Sequence, residues 1–209
     1  MFWNTFNRWG ENPAFKCGTE TVTYKELNDL CNRFACMLPE HKCLVLIEVG
    51  NAIPDIVALY GALLKGHAVL LCEENNPGLK LALEKSFQPE YIYEKSGTSW
   101  VLRAEQKREH HPLHNDLAIL LTTSGSTGEQ KCVRLSHTNI QSNTEAITAY
   151  LPIEQQDQCL QLLPILYSYG LSVLNTHLSK GATVHLQGPT AESAGFLSYL
   201  IENKISTFS

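Results

Sequence analysis

Three runs without a polar position, Cys43-Leu-Val-Leu-Ile47, Ala68-Val-Leu-Leu-Cys72 and Ala118-Ile-Leu-Leu121, constrain this chain more than any other feature. A strand with one wet face alternates apolar and polar residues, whereas a short, wholly apolar run is buried on both faces. Helical patterns fill much of the space around these runs. Strands that alternate with helices are joined by crossovers, so the pattern predicts an α/β fold of mostly parallel sheets flanked by helices.

The remaining elements follow from local chemistry. Phe15-Lys-Cys17 and Thr21-Val-Thr23 flank Gly18 and predict a hairpin. Thr23-Tyr-Lys-Glu26 has the form of a capping box, and Leu27, Leu30, Cys31, Phe34, Ala35 and Leu38 then recur on one helical face. Asn51 reads as the cap of a helix that carries Ile56, Val57, Tyr60, Leu63 and Leu64 and stops at Gly66. Pro77-Gly78 marks a turn before a short helix ending near Ser86, and Tyr91-Ile-Tyr93 is a strand. A polar stretch at 95–115 holds Lys107, Arg108, Glu109, His110, His111 and His114. It reads as a surface excursion or a junction, which divides the chain into 1–115 and 116–209. Beyond it, Ser136 or Thr138 caps a helix to Tyr150 with Ile140, Thr144 and Ile147 at helical spacing, and Cys159-Leu-Gln-Leu-Leu163 is a strand stopped by Pro164. A helix restarts near Gly170, Gly181 to Leu186 is a strand, and Ser193 caps a helix with Phe196, Leu197, Leu200 and Ile201. Ile205 to Phe208 begins another strand.

The third apolar run breaks into Thr122, Thr123, Ser124, Gly125, Ser126, Thr127 and Gly128, with Lys131 three residues on. Such a loop offers backbone N–H groups, hydroxyls and a cation, chemistry suited to polyphosphate oxygens. An ordinary polar surface turn is the other reading of the same composition. A Walker loop is excluded, because Gln130 stands where its second glycine is required, and no Gly-x-Gly-x-x-Gly occurs in the chain. Pro164-Ile-Leu-Tyr-Ser-Tyr-Gly-Leu171 is a second landmark, at a strand end where open α/β folds bind ligands. By themselves, Tyr167 and Tyr169 read as flat ligand contacts or, more simply, as core aromatics.

Thr123-Ser-Gly-Ser-Thr-Gly-Glu-Gln-Lys131 resembles the signature loop of the adenylate-forming (AMP-binding) superfamily, and Ser136-His-Thr-Asn139 follows it as in many members. Thr23-Tyr-Lys-Glu-Leu27 and Ala58-Leu-Tyr-Gly-Ala-Leu-Leu-Lys-Gly-His-Ala-Val69 resemble earlier family segments in the same order. Gln130 replaces the usual proline and Cys132 the usual glycine, so Cys132→Gly is expected to be mild. Tyr167 replaces the usual histidine of the family's Pro-Leu-x-His-x-x-Gly segment, with Pro164 and Gly170 kept.

The resemblance implies ATP and Mg2+ as nucleotide and metal. Thr123, Ser124, Gly125, Ser126, Thr127, Gly128 and Lys131 would lie around the β and γ phosphates, with Lys131 the catalytic cation. Tyr167, Ser168, Tyr169 and Gly170 would line the acid pocket. The implied reaction is acyl-adenylate formation from a small carboxylic acid, with coenzyme A or a carrier-protein thiol as a further partner. It also implies the first part of a larger ligase, inactive alone, because the later ribose-binding aspartate and C-terminal lysine are not in the chain. A strand edge left at Phe208 then predicts self-association. A non-catalytic scaffold that keeps part of the fold is the alternative, supported by Gln130, Cys132 and Tyr167.

Bulk properties exclude other classes. A net charge of −5 argues against a broad nucleic-acid surface. No apolar run approaches the roughly 18 residues that span a bilayer. Seven cysteines, an odd number without a Cys-x-x-Cys pair, predict free thiols and a cytoplasmic setting rather than disulfides or zinc. His110, His111 and His114 lack the converging partners of a metal site and read as a solvated linker.

Overall fold

The computed structural model describes residues 1–105, 112–123 and 131–208. In chain order, a 3-10 segment over Phe2–Trp9 precedes β1 (Pro13–Cys17) and β2 (Glu20–Thr23). Then come α1 (Tyr24–Met37), β3 (Leu44–Val49), α2 (Ile53–Leu64), β4 (Ala68–Glu73), α3 (Pro77–Phe87), β5 (Tyr91–Ser96) and β6 (Ser99–Ala104). The second half holds β7 (Leu117–Thr123), β8 (Lys131–Ser136), α4 (His137–Tyr150), β9 (Gln158–Leu160), α5 (Ser168–Ser179), β10 (Thr183–His185), α6 (Phe196–Glu202) and β11 (Thr207–Phe208). These elements form two compact units. One comprises Met1–Leu30, Asn51–Ile53 and Gln141–Ser209, the other Cys31–Gly50 and Pro54–Ile140.

The second of these units holds a six-stranded sheet in the order β6-β5-β3-β4-β7-β8. Its four inner strands are parallel, and the edges β6 and β8 pair antiparallel to their neighbours. Every residue of β3 is buried, as the apolar run Leu44–Ile47 predicts, and Glu48 is buried with them. Leu44, Leu46, Leu70, Leu83, Ile92 and Leu120 form one core cluster. Gly61 of α2 is dictated by packing, since a Cβ there would stand 2.8 Å from Cys31 O and 2.9 Å from Phe34 Cβ.

The other unit has a five-stranded sheet, β11-β9-β10-β1-β2, parallel except for the β1/β2 hairpin. The capping box that opens α1 forms: Thr23 N donates to Glu26 Oε2 at 2.8 Å and Glu26 N to Thr23 Oγ1 at 3.2 Å, satisfying two otherwise orphaned donors. Buried histidines link this sheet to its helices. His177 Nδ1 donates to Val173 O at 2.8 Å, leaving Nε2 to accept from Thr207 Oγ1 at 2.9 Å. His185 Nε2 donates to Gln158 Oε1 at 3.0 Å, and Nδ1 accepts from Tyr199 Oη at 3.1 Å.

The structure corrects several expectations. The junction at 115 does not divide the chain, because β7 is hydrogen-bonded to β4 and so joins the sheet of the preceding strands. The polar stretch contains β6, which pairs with β5 along all six of its residues; its strand signal is masked by Ser99, Arg103 and the exposed edge. His110 and His111 lie outside the described residues, while His114 is exposed beside Asp116. Pro77 is the first residue of α3, with Asn76 Oδ1 accepting from Leu79 N. Ser193 does not cap α6; its hydroxyl bonds Thr190 O, and Gly195 holds the cap position. On α6 only Phe196 is buried, and Leu197 and Ile201 are 70% and 78% exposed.

Candidate nucleotide and acid-binding segments

Within its sheet, β7 runs parallel to β4, so its last residue, Thr123, lies at the carboxyl edge, where α/β sheets present loops to ligands. The chain returns from there as β8, in antiparallel register, with Leu121 opposite Val133, Thr122 opposite Cys132 and Thr123 opposite Lys131. Residues 124–130 thus connect a hairpin. Ser124, Gly125, Ser126, Thr127, Gly128 and Gln130 lie outside the described residues, so their expected phosphate contacts are not described. Lys131 is the first residue of β8 and is exposed.

Cys132, the departure from the usual glycine, has a structural role. Its side chain is half-buried and packs on the core cluster of Leu44, Leu70 and Leu120. Burial pushes its thiol up to about 11, so it stays protonated and unreactive near neutral pH. Glycine there would remove that packing, so a modest loss of stability is expected alongside the mild effect on activity.

After β8, Ser136 and Asn139 cap α4 reciprocally: Asn139 N donates to Ser136 Oγ and Ser136 N to Asn139 Oδ1, both at 3.0 Å. His137 is the first helical residue, and burial, with Lys42 adding repulsion, lowers its pKa. At the carboxyl ends of β3 and β5 the charges are paired: Glu48 binds Lys80 at 3.0 Å, Lys80 also binds Glu94, and Lys95 binds Glu74 at 2.9 Å.

In the other unit, the segment from Gln161 to Gly170 joins β9 to α5. Tyr167 and Tyr169 are 56% and 61% exposed, and Ser168 is exposed with them. The core reading of the two tyrosines is therefore overturned; a chain that turns at Pro164 and starts α5 at Ser168 projects them outward. Of the four residues 167–170, Gly170 alone is buried. A Cβ on it would stand 2.2 Å from Pro164 O and 2.8 Å from Leu163 O, so only glycine lets α5 start against this turn.

Two amides hold the turn. Asn51 Nδ2 donates to Leu163 O at 3.1 Å, and Ile165 N donates to Asn51 Oδ1 at 2.9 Å. Asn51 is thus a brace for a distant segment, not the helix cap expected from its position before α2. Its φ of 56°, tolerated by Asn better than by most residues, aims the side chain away from that helix. Gln161 Nε2 donates to Leu163 O at 2.6 Å and Gly170 O at 3.0 Å. Sequence reasoning missed Gln161; the signal was a lone amide inside the apolar run Cys159–Leu163.

Among the described residues no group of three or more His, Cys, Asp or Glu gathers to hold a metal, and no helix is long and apolar enough to cross a membrane. All seven cysteines are free. Burial pushes the thiols of Cys43, Cys72 and Cys159 up to about 12.

Comparison with known proteins places these features. Residues 73–209 match the family model of the AMP-binding enzyme. The chain is 30% identical over 184 residues to zwittermicin A synthase ZmaJ of Bacillus cereus, covering 74% of this chain and 33% of that protein. It is 28% identical over 198 residues to a D-alanine–D-alanyl carrier protein ligase of Bacillus velezensis, covering 82% of this chain and 39% of the ligase. The chain therefore spans 33% and 39% of these curated relatives. Its fold is shared with O-succinylbenzoate coenzyme A synthetase (MenE) of Bacillus subtilis, solved in complex with ATP and magnesium. That match has a TM-score of 0.79 at 20% identity and covers 100% of this chain and 62% of that one. The match to the family model covers well over half of the sequence and includes both the β7–β8 hairpin and the Pro164–Gly170 turn, and on that ground the chain belongs to the AMP-binding enzyme family.

Proposed function

We propose that the intact protein activates a small carboxylic acid with ATP. The acid's carboxylate attacks the α phosphorus, an acyl adenylate forms, and pyrophosphate leaves. The observation that carries this reading is the β7–β8 hairpin of a family member, whose hydroxyl- and glycine-rich connection leaves and re-enters the sheet at its carboxyl edge beside Lys131.

In this reading the hydroxyls of Thr123, Ser124, Ser126 and Thr127 and the amides of Gly125 and Gly128 hold the β and γ phosphates. Lys131 stabilises the negative charge that grows on the departing pyrophosphate. The substrate carboxylate is its own nucleophile, so no side-chain base is required. Mg2+ brought in with the nucleotide would supply further charge neutralisation, and a dedicated protein cage is not needed for that. Tyr167, Ser168, Tyr169 and Gly170 border the acid. Two relatives support a thiol acceptor, one named for a carrier protein and one for coenzyme A. A second step would then move the acyl group to that thiol and release AMP.

The test is acid-dependent ATP–pyrophosphate exchange by the full-length gene product. D-alanine, L-aspartate, 3-hydroxybenzoate and O-succinylbenzoate serve as probes, each taken from the name of a relative or of its bound compound. Exchange above the acid-free rate with at least one probe is expected. Absence of exchange with every probe, from a folded protein that binds ATP, would contradict the reading.

A further inference from the structure

We propose that Asn51 and Gln161 are positioning residues for the carboxylic acid, acting through the Leu163–Gly170 turn; the inference rests on the acid-activation reading above. The turn carries two large exposed aromatic side chains, and its own backbone contributes Tyr167 N to Pro164 O at 3.1 Å. Two side-chain amides flanking or distant from it supply the remaining anchors. Leu163 O accepts from both Asn51 Nδ2 and Gln161 Nε2, at 3.1 and 2.6 Å. Asn51 also holds Ile165 N, and Gln161 also holds Gly170 O, so the two amides fasten the beginning, middle and end of the turn. Gly170 closes the same turn by backbone contact with Pro164.

Gln161 shows that this arrangement is not the most stable one available. Its side chain is buried, with the residue 3% exposed, and its Oε1 has no hydrogen-bond partner. A buried acceptor without a partner is destabilising, and an apolar residue of the same shape would avoid it. The amide is explained by what its Nε2 does: it ties Leu163 O, just past β9, to Gly170 O in the first turn of α5, setting where Tyr167 and Tyr169 stand. Asn51 likewise occupies a left-handed backbone position that most side chains avoid, and its two hydrogen bonds use both ends of the amide.

Two variants separate positioning from folding. Asn51→Gly keeps the left-handed backbone and removes the amide, and Gln161→Met keeps length and removes both donors together with the unpartnered oxygen. Each is made in the full-length protein and assayed by pyrophosphate exchange with the probe acid that gives the fastest wild-type rate. The expected result is a rise of about 10-fold in KM for the acid, the size of one or two lost hydrogen bonds. KM for ATP should be unchanged, and Tm within about 5 °C of wild type. Amide hydrogen exchange should quicken in peptides covering 163–170 and not in those covering β3–β5. Unchanged acid KM in both variants, in an enzyme that is active, overturns the positioning role alone. Equal increases in KM for acid and ATP, with a large fall in Tm, overturn it in favour of a general folding role. A wild type without acid-dependent exchange overturns it together with the activation reading.

Discussion

Gly170 packs so closely on Pro164 that a side chain there would place its first carbon 2.2 Å from the Pro164 carbonyl oxygen. Backbone cannot rotate out of the way as a flexible side chain can. Gly170→Ala should therefore push α5 off the turn and destabilise the fold by about 1–3 kcal/mol, the usual cost of overpacking. Urea denaturation measures it: the midpoint should fall without a change in slope. An unchanged midpoint would mean that the turn and α5 are not packed as described.

Cys132→Gly restores the residue usual in the family, yet it removes a half-buried side chain that packs on the core and places glycine within a strand. We expect a loss of roughly 1 kcal/mol. Cys132→Ala should recover part of it by restoring strand-compatible backbone entropy. Equal stability of the glycine variant and wild type would show that the Cys132 contact contributes nothing.

Two buried histidines predict how stability responds to acid. Burial holds the pKa of His67 and of His185 down to about 4, with nearby Lys65, His41 and Lys42 adding repulsion at His67 and Lys16 at His185. His67 Nδ1 accepts from Cys43 N at 3.2 Å, a role only the neutral ring can fill. Because the folded-state values lie below the ordinary 6.5, the folded protein favours the neutral rings. Their contribution is fully present above pH 6.5 and is lost as pH falls from there towards 4. Melting at pH 7 and pH 4.5 should differ by roughly 2 kcal/mol or more from these two groups. The difference should shrink in His185→Gln, which retains hydrogen-bonding capacity without a titrating ring. The same acid loss in that variant would show that His185 contributes nothing to it.

What could be read from the sequence was whatever depends on neighbouring residues. β3, β4 and β7 stood out because burial on both faces leaves no polar position, and the Thr23–Glu26 box was visible because both its partners lie within one turn. The hydroxyl- and glycine-rich stretch between β7 and β8 was legible as composition, but the strand that follows it, β8, was not: Lys131, Arg134 and Ser136 sit on an exposed edge and carry little apolar pattern. The roles of Asn51 and Gln161 were hidden for a different reason. Asn51 meets its partners 112 and 114 residues away, a distance over which propensity and periodicity say nothing. Tyr167 and Tyr169 were misjudged because aromatic content alone argues for burial, whereas the turn at Pro164 sends them outward.

Lys131 tests the central claim most directly. If the hairpin serves a departing pyrophosphate, the cation at its base helps the transition state more than the ground state. Lys131→Ala in the full-length protein should slow acid-dependent pyrophosphate exchange by about 10²–10³, the usual cost of losing one such group. Binding of the free acid should be little changed, and Lys131→Arg should restore only part of the rate, because a planar fork does not replace a compact ammonium. Equal exchange rates for Lys131→Ala and wild type at saturating ATP and acid, with an unchanged KM for ATP, would contradict the account and return residues 123–131 to an ordinary surface turn.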